Sequence, residues 1–198
     1  MIIGLTGSIA SGKSTVSTML KRKGFPIVDA DKIARQVVEL GSPVLQEISR
    51  VFGESVLQAD GSLNRVKLGE IIFNDEEMRQ KLNGIIHPAI RQEMLKQKDE
   101  WLAGGANTVI MDIPLLFESK LQSFVDTIIV VSVTPEIQKE RLIARNVLSE
   151  EEADRRIQSQ LPVKEKEKAA DAVLFNNGTV EETQKQLDSL LLKWDLHP

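Results

Sequence analysis

The chain has 198 residues, of which 41% are hydrophobic and 27% charged, and its formal net charge is −4 at pH 7. This length suits one well-buried domain with small insertions, and the acidic balance argues against a nucleic-acid partner, because a nucleic-acid binder carries a basic face. The absence of cysteine excludes disulfides, thiolate metal sites and cysteine nucleophiles, and two histidines are too few for a histidine-rich metal site.

The first residues, MIIGLTGSIASGKS, lack the basic and then long apolar segments of a secretory leader. No window of the sequence reaches the ~18 apolar residues that a membrane-spanning helix needs. We therefore expect a cytoplasmic protein that has no membrane partner.

Short apolar runs alternate with longer helical patterns along the chain. The runs predict five strands, at residues 2–5, 26–28, 108–111, 127–133 and 172–175. Helix starts are indicated by two pairs with capping-box spacing, Ser149 with Glu152 and Thr179 with Glu182. The alternation predicts a three-layer α/β fold, in which helices cover both faces of a five-stranded parallel sheet.

The stretch from residue 31 to about 104 breaks this alternation. It contains no convincing strand, and its apolar residues recur at helical spacing in four runs, the last of which is closed by His87–Pro88. A helical insertion between the second and third strands is the simplest account. His87 is a lone histidine beside a core helix, and such a residue is more often structural than catalytic. A second excursion, strongly charged, extends over about 141–168.

Residues 7–14, GSIASGKS, match the phosphate-loop pattern G-x-x-x-x-G-K-[ST] between a predicted strand and a predicted helix. Gly7 and Gly12 let the backbone turn so that N–H groups face phosphate oxygens, and the helix that follows directs its positive end at the same anion. Lys13 would reach the β- and γ-phosphates, and Ser14 would give a hydroxyl to Mg²⁺. The predicted ligands of ATP are Gly7, Ala10, Ser11, Gly12, Lys13, Ser14 and Thr15.

Aspartates follow the second and third predicted strands, at the edge where open α/β sheets bind ligands. Asp112 ends an apolar strand in the Walker-B pattern, which makes it a second candidate metal ligand besides Ser14. Asp31 could accept the proton of an attacking hydroxyl, and Asp29 could support the loop. The alternative is that these aspartates only cap the helices that follow them.

Two arginines lie at the start of the charged excursion. Arg141 and Arg145, at i and i+4, share one helical face and can converge on one anion. In phosphoryl transfer, such arginines neutralise the charge that develops on the transferred group. The alternative is a solvated face paired with the acidic residues 150–152, and for Arg155 and Arg156 the two interpretations weigh equally.

The whole chain resembles the dephospho-coenzyme A kinase family. The resemblance rests on IGLTGSIASGKST (3–15), VDADKIARQVV (28–38), HPAI (87–90), DIPLLFE (112–118), RLIARN (141–146), RRIQSQLP (155–162) and NNGT (176–179). The phosphate loop is common to many families, whereas DADKIAR, HP and DIPLLFE together are much more specific. The family often has glycine where Ser8 and Ala10 stand and aspartate where Phe175 stands, which affects expectations of loop shape and adenine contact.

This resemblance implies transfer of the ATP γ-phosphate to the ribose 3′-hydroxyl of dephospho-coenzyme A, by a P-loop kinase fold with a helical coenzyme-A-binding insertion and a lid. On this chain it implies a nucleotide-binding core at 1–31, 105–140 and 163–198, an acceptor insertion at 32–104 and a lid at 141–162. Asp31 would be the catalytic base, with Lys13, Arg141 and Arg145 as further catalytic residues. The implied substrate contacts are Thr6, Asp31, Arg35, His87, Asp112 and Leu115.

Two other functions fit the phosphate loop. A P-loop kinase that acts on a nucleoside or nucleotide would share the loop but need not have the long insertion with HPAI. A nucleotide-dependent switch would bind without phosphorylating, but the sequence has no guanine-reading N/T-K-x-D run, and the charged excursion offers the lid that a kinase needs to exclude water. The oligomeric state stays open between a monomer and a small homo-oligomer.

Overall fold

The computed structural model of the chain describes residues 1–73 and 75–198. The strands are β1 (Ile2–Gly7), β2 (Ile27–Asp29), β3 (Val109–Asp112), β4 (Thr127–Ser132) and β5 (Ala172–Phe175). They form a single sheet in the order β2-β3-β1-β4-β5, and every pairing is parallel. The prediction of a five-stranded parallel sheet is confirmed, and the observed strand ends lie within two residues of the predicted ones.

Helices occupy much of the chain between and after the strands. They are α1 (Lys13–Arg22), α2 (Ala30–Gln36), α3 (Pro43–Phe52), α4 (Arg65–Phe73), α5 (Glu76–Ala103), α6 (Pro135–Asn146), α7 (Glu150–Gln158), α8 (Val163–Lys168) and α9 (Val180–Lys193). Short 3₁₀ turns lie at Glu54–Val56 and Gln122–Phe124. Within the described ranges, no helix is both long enough and apolar enough to cross a membrane.

The chain separates into two compact units, one made of Met1–Asp29 and Lys98–Pro198 and the other of Ala30–Gln97. The first unit contains the sheet. Its core is an apolar cluster formed by β1, β3, β4 and β5 with α1 and α9, in which Ile3 and Leu5 are fully buried. Strands buried on both faces are nearly continuous apolar runs, which is why they could be recognised from the sequence.

The register of the sheet brings the predicted loop and aspartates to one edge. At the carboxyl ends of adjacent strands, Gly7 of β1 lies opposite Val131 of β4, and Asp29 of β2 lies opposite Asp112 of β3. Because all five strands point the same way, everything that follows them emerges at this edge.

The second unit is helical, as the sequence predicts, and within its described residues the only β-type pairing outside the named strands is a single bridge between Leu57 and Leu63. It has its own core. Seven buried apolar residues form it: Val38, Leu45, Ile48, Val56, Leu63, Leu68 and Leu82. They come from α3, α4, α5, the segments between them and the residues that follow α2, so the insertion has a separate hydrophobic centre.

His87–Pro88 closes the last apolar run of the insertion, but it does not end the helix. The helix α5 continues through Pro88 for a total of 28 residues. A proline in a helix interior removes one hydrogen bond and its ring presses on the carbonyl of residue i−4. Here residue i−4 is Gly84, the residue type with the freest backbone, and a side chain at Gly84 would meet nothing within 4 Å. The helix can therefore adjust at this point.

The link between α6 and α7 contains a strained residue. Val147 ends α6 in the left-handed conformation, with φ 52° and ψ 52°, which is rare for a β-branched side chain. The side chain is 92% exposed, so no burial offsets the strain. Lys139 connects α6 to α7 across this link, because its ammonium lies 3.0 Å from the carboxylates of both Glu150 and Asp154.

We expect Val147→Gly to raise the free energy of unfolding by about 1 kcal/mol, since the left-handed conformation costs an L-residue roughly 1–2 kcal/mol and glycine returns part of this through unfolded-chain entropy. Thermal melting measures the change. Val180→Gly, which removes an exposed valine from the first position of α9, is the control and should not stabilise. A melting temperature for Val147→Gly at or below that of the parent protein would contradict the prediction.

Candidate active site

The phosphate loop turns through two left-handed residues, Ala10 at φ 61° and Gly12 at φ 88°. The start of α1 that follows differs from those of α3, α6, α7 and α9, each of which has a side chain accepting a hydrogen bond from the first turn. Gly12 offers α1 no side-chain cap, and the first turn of α1 contains no acidic residue. An uncapped helix start without negative charge is suited to bind an anion through its N–H groups.

Close packing explains both glycines of the loop. A Cβ on Gly12 would collide with the amide nitrogen of Asn176, and a Cβ on Gly7 would lie 2.7 Å from the carbonyl oxygen of Val131. Asn176 is buried and donates from Nδ2 to the carbonyl of Ser11 at 2.9 Å. Its Oδ1 accepts from the hydroxyl of Thr183 at 2.8 Å. The loop is therefore held by a hydrogen bond from a side chain that follows β5, more than 160 residues away in sequence.

Asn176 has no role predicted from the sequence. It lies in the NNGT run that contributes to the family resemblance, but asparagines close to a glycine are ordinary turn chemistry. Nothing in the local sequence indicates that the side chain points back to the loop between β1 and α1.

Lys13 and Asp112, both predicted site residues, form an ion pair between the start of α1 and the end of β3. The carboxylate is buried, with Asp112 only 4% exposed. Burial raises the pKa of Asp112 above its ordinary 3.8, and the ammonium of Lys13 and a hydrogen bond from Ser17 oppose this rise. The charge of Asp29 on the neighbouring strand adds to it. Ser17 is a further site residue that the sequence analysis did not predict.

The raised pKa of Asp112 has a defined sign for stability. The folded chain holds this proton more tightly than the unfolded chain does, so the stabilising contribution is complete below pH 3.8 and is lost as the pH rises through the folded pKa. The carboxylate is buried, and Lys13 is the cation that compensates its negative charge when it is ionised. In the ligand-free protein, Lys13 and Asp112 therefore depend on each other.

We expect Lys13→Met to raise the pKa of Asp112 further, because the methionine keeps the bulk of the side chain and removes the compensating charge and hydrogen bond. Titration of the side-chain carboxyl carbon by NMR measures the shift, and Asp112→Asn identifies the signal. Lys21→Met, at an exposed position in the last turn of α1, should leave the Asp112 curve unchanged. The same or a lower pKa in Lys13→Met would show that the ion pair does not control this carboxylate.

The segment after β3 is attached to its surroundings by several polar contacts. The hydroxyl of the buried Thr6 donates to the carbonyl of Pro114 at 3.0 Å, and the next residue, Leu115, is 43% exposed. The ammonium of Lys166, which is fully buried, lies 2.8 Å from the carboxylate of Glu118. The family resemblance implies Thr6 and Leu115 as substrate contacts, whereas the burial of Lys166 was not predicted, because a lysine within a charged run normally faces solvent.

The two predicted arginines differ in their surroundings. Arg141 is half-buried, and a guanidinium nitrogen lies 4.0 Å from the position that a Cβ of Gly12 would take. Arg145 is exposed and donates to the side chain of Asn146 at 2.9 Å. Arg155 and Arg156 are also exposed. The structure therefore brings Arg141 to the phosphate loop and leaves the other three arginines at the surface.

Three predicted residues belong to the second unit. Asp31 is exposed in the first turn of α2, one residue inside the helix. Arg35 follows at i+4, so the two side chains share a face of α2. His87 is exposed on α5. Since α2 begins at Ala30, Asp31 does not occupy the position before the helix from which capping side chains act.

The oxygen ligands of the site fit magnesium. No three His, Cys, Asp or Glu side chains group into a metal site within the described residues. Ser14 is exposed in the first turn of α1, and the carboxylate of Asp112 is paired with the neighbouring Lys13. Mg²⁺ usually takes only one or two protein oxygens and completes its shell with water and substrate phosphates. Ser14 and Asp112 are the donor set that such a metal would use.

Comparisons with known proteins agree along the chain. A family model described as dephospho-CoA kinase matches residues 1–182. A dephospho-CoA kinase of Bacillus cereus is 55% identical over 196 residues, which cover 99% of this chain and 98% of the relative. A crystal structure from Thermus thermophilus has a TM-score of 0.82 at 35% identity, covering 98% of this chain and 97% of that one. A dephospho-CoA kinase structure from Campylobacter jejuni has a TM-score of 0.75 at 30% identity and covers 98% of both chains.

Proposed function

The chain belongs to the dephospho-CoA kinase family, and we propose that it transfers the γ-phosphate of ATP to the ribose 3′-hydroxyl of dephospho-coenzyme A, giving coenzyme A and ADP. The observation that carries this proposal is the uncapped start of α1, which begins with Lys13 and has a guanidinium nitrogen of Arg141 4.0 Å from the position that a Cβ of Gly12 would take. A triphosphate is the ligand that such a position fits.

In this proposal the first unit binds ATP through the loop and the first turn of α1. Backbone N–H groups of the loop and of the start of α1 would hold the phosphates, and Lys13 would exchange its ion pair with Asp112 for the β- and γ-phosphates. Ser14 and Asp112 would hold Mg²⁺, which neutralises charge on the phosphate oxygens when bound. Release of Asp112 from Lys13 makes its carboxylate available for this second partner.

Arg141 completes the charge at the transferred group. Its position beside Gly12 lets the guanidinium face a phosphate bound at the loop. We propose that Arg145 joins it when the lid (141–162) closes, which excludes water from the γ-phosphate. The exposed side chain of Arg145 is free to turn, because its hydrogen bond to Asn146 is a surface contact between neighbours in sequence.

We propose that the second unit binds the acceptor. We propose that Arg35 and His87 bind dephospho-coenzyme A, which is consistent with their exposure. Leu115, exposed in the segment held by Thr6, would contact the acceptor as well. Thr6 itself acts through Pro114, since its hydroxyl is buried and already donates there.

Asp31 is proposed as the general base. The ribose hydroxyl oxygen attacks the γ-phosphorus, the bond from that phosphorus to the bridging oxygen breaks, and ADP leaves with the bond's electron pair. The hydroxyl proton goes to the carboxylate of Asp31. The exposed position of Asp31 near the start of α2 leaves its carboxylate accessible to a bound acceptor.

A coupled assay of ADP release tests the function. We expect turnover with ATP and dephospho-coenzyme A, and no comparable turnover with adenosine or nucleoside monophosphates, because the proposed acceptor site recognises more of the molecule than its nucleoside. Phosphorylation at the 3′-hydroxyl can be identified by mass spectrometry and phosphorus NMR of the product. Turnover with a nucleoside monophosphate alone would identify a nucleotide kinase instead, and nucleotide binding without turnover would identify a switch protein.

We expect Asp31→Asn to lower kcat by about 100-fold or more, the usual loss when a general base is removed, with ATP affinity and melting temperature little changed. Asparagine keeps the size and most of the hydrogen bonding but cannot accept the proton. Asp60→Asn, which changes an exposed carboxylate in a turn of the same unit, is the control and should keep full activity. Full activity of Asp31→Asn would remove Asp31 from the chemistry.

A further inference from the structure

Both main-chain groups of Ile9, in the middle of the phosphate loop, are bonded to glutamine side chains. The N–H of Ile9 donates to Oε1 of Gln160 at 2.8 Å. The carbonyl of Ile9 accepts from Nε2 of Gln138 at 2.9 Å. Since an N–H can only donate and a carbonyl can only accept, these two bonds also determine which terminal atom of each glutamine amide is the oxygen and which is the nitrogen.

Gln138 lies just before the lid (141–162), and Gln160 lies near its end. Gln138 lies on α6 and is only 4% exposed, and Arg141 follows it at i+3 on the same helical face. Gln160 lies just beyond the end of α7. The next residue, Leu161, donates its N–H to the carboxylate of Glu118 at 3.1 Å, which secures the same stretch to the segment after β3. The two residues that flank most of the lid are therefore bonded to the same residue of the phosphate loop, Ile9.

This arrangement controls two features of the site. The loop can present its N–H groups to a phosphate only while its backbone keeps one conformation, and hydrogen bonds to both sides of Ile9 oppose rotation of the two peptide planes. The bond from Gln138 also holds α6 at a fixed distance from the loop. Since Arg141 is part of α6, its distance from Gly12 depends on how close α6 lies to the loop.

We propose that Gln138 and Gln160 are positioning residues that hold the phosphate loop in its binding conformation and keep Arg141 beside the transferred phosphate. This inference rests on the proposed function, because it takes the triphosphate of ATP as the ligand of the loop. Neither glutamine has to touch the nucleotide, since each acts through the backbone of Ile9.

The test uses substitutions whose effects differ in direction at the two positions. Methionine has nearly the shape of glutamine and makes neither bond. Glutamate at position 160 still offers an acceptor to the N–H of Ile9, whereas glutamate at position 138 offers no donor to the carbonyl and places a negative charge against it. Gln160→Glu should therefore rescue what Gln160→Met loses, and Gln138→Glu should be no better than Gln138→Met.

Two measurements report on the variants. Hydrogen exchange of the Ile9 amide in the ligand-free protein should be fast in Gln160→Met and slow again in Gln160→Glu. Calorimetric titration with ATP should show a roughly three- to tenfold loss of affinity in each methionine variant, the scale of one neutral hydrogen bond. Titration at high salt screens the charge that Gln160→Glu adds, so the affinity of that variant should return toward that of the parent protein.

Gln186→Met is the matched control. The side chain of Gln186 also bonds both main-chain groups of one residue, accepting from the N–H of Phe175 at 3.0 Å and donating to its carbonyl at 2.8 Å. The Gln186→Met variant should lower the melting temperature about as much as the other methionine variants do, and it should leave ATP affinity unchanged. Equal ATP affinity in all three methionine variants would reduce the two glutamines to a structural role and overturn the proposal.

Slow exchange of the Ile9 amide in Gln160→Met would overturn it as well, and so would failure of Gln160→Glu to restore slow exchange. These readouts need no acceptor. If the parent protein binds ATP but does not phosphorylate dephospho-coenzyme A, the proposed function fails while the inference about the glutamines stands or falls on its own results.

Discussion

An anion binds at the start of a helix only when the N–H groups there are not satisfied by the protein's own side chains, and this constraint governs the first unit. Gly12 leaves the start of α1 without a side-chain cap, although four other helices of the chain have one. Such an end is less stable by itself. The conformation of the loop has to come from contacts made elsewhere, and Asn176, Gln138 and Gln160 provide them.

The buried carboxylate of Asp112 is a second consequence of placing phosphate chemistry at a sheet edge. In the proposed function this carboxylate lies near the γ-phosphate; shielding from water strengthens its interactions with charges and raises its pKa. Lys13 compensates it in the ligand-free protein. In the proposed function, a triphosphate and a divalent metal would each give one charge of this pair a new partner of the opposite sign. The ion pair between Lys13 and Asp112 thus lets the folded protein hold both charges before the ligands bind.

The sequence was sufficient for features that have a local pattern. The strands are apolar runs, the phosphate loop is a fixed spacing of residues, and Ser149 and Thr179 start helices with capping boxes as predicted. Features that depend on tertiary contacts were not predictable. A buried lysine such as Lys166 looks like a solvated one in a charged run, and the continuation of α5 through Pro88 contradicts the average behaviour of proline. Glutamines and asparagines carry no periodic signal, so only the folded chain shows where they point.

The side chains that support the loop are neutral amides, and electrostatics gives a reason. A carboxylate bonded to a loop N–H would hold the loop as well, but it would add negative charge where the triphosphate must bind, and a lysine or arginine bonded to a loop carbonyl would compete for the phosphate itself. An amide supplies one donor or one acceptor at almost no net charge. With Asn176 on Ser11 and two glutamines on Ile9, the backbone is fixed while the positive field of Lys13, Arg141 and α1 remains available for the ligand.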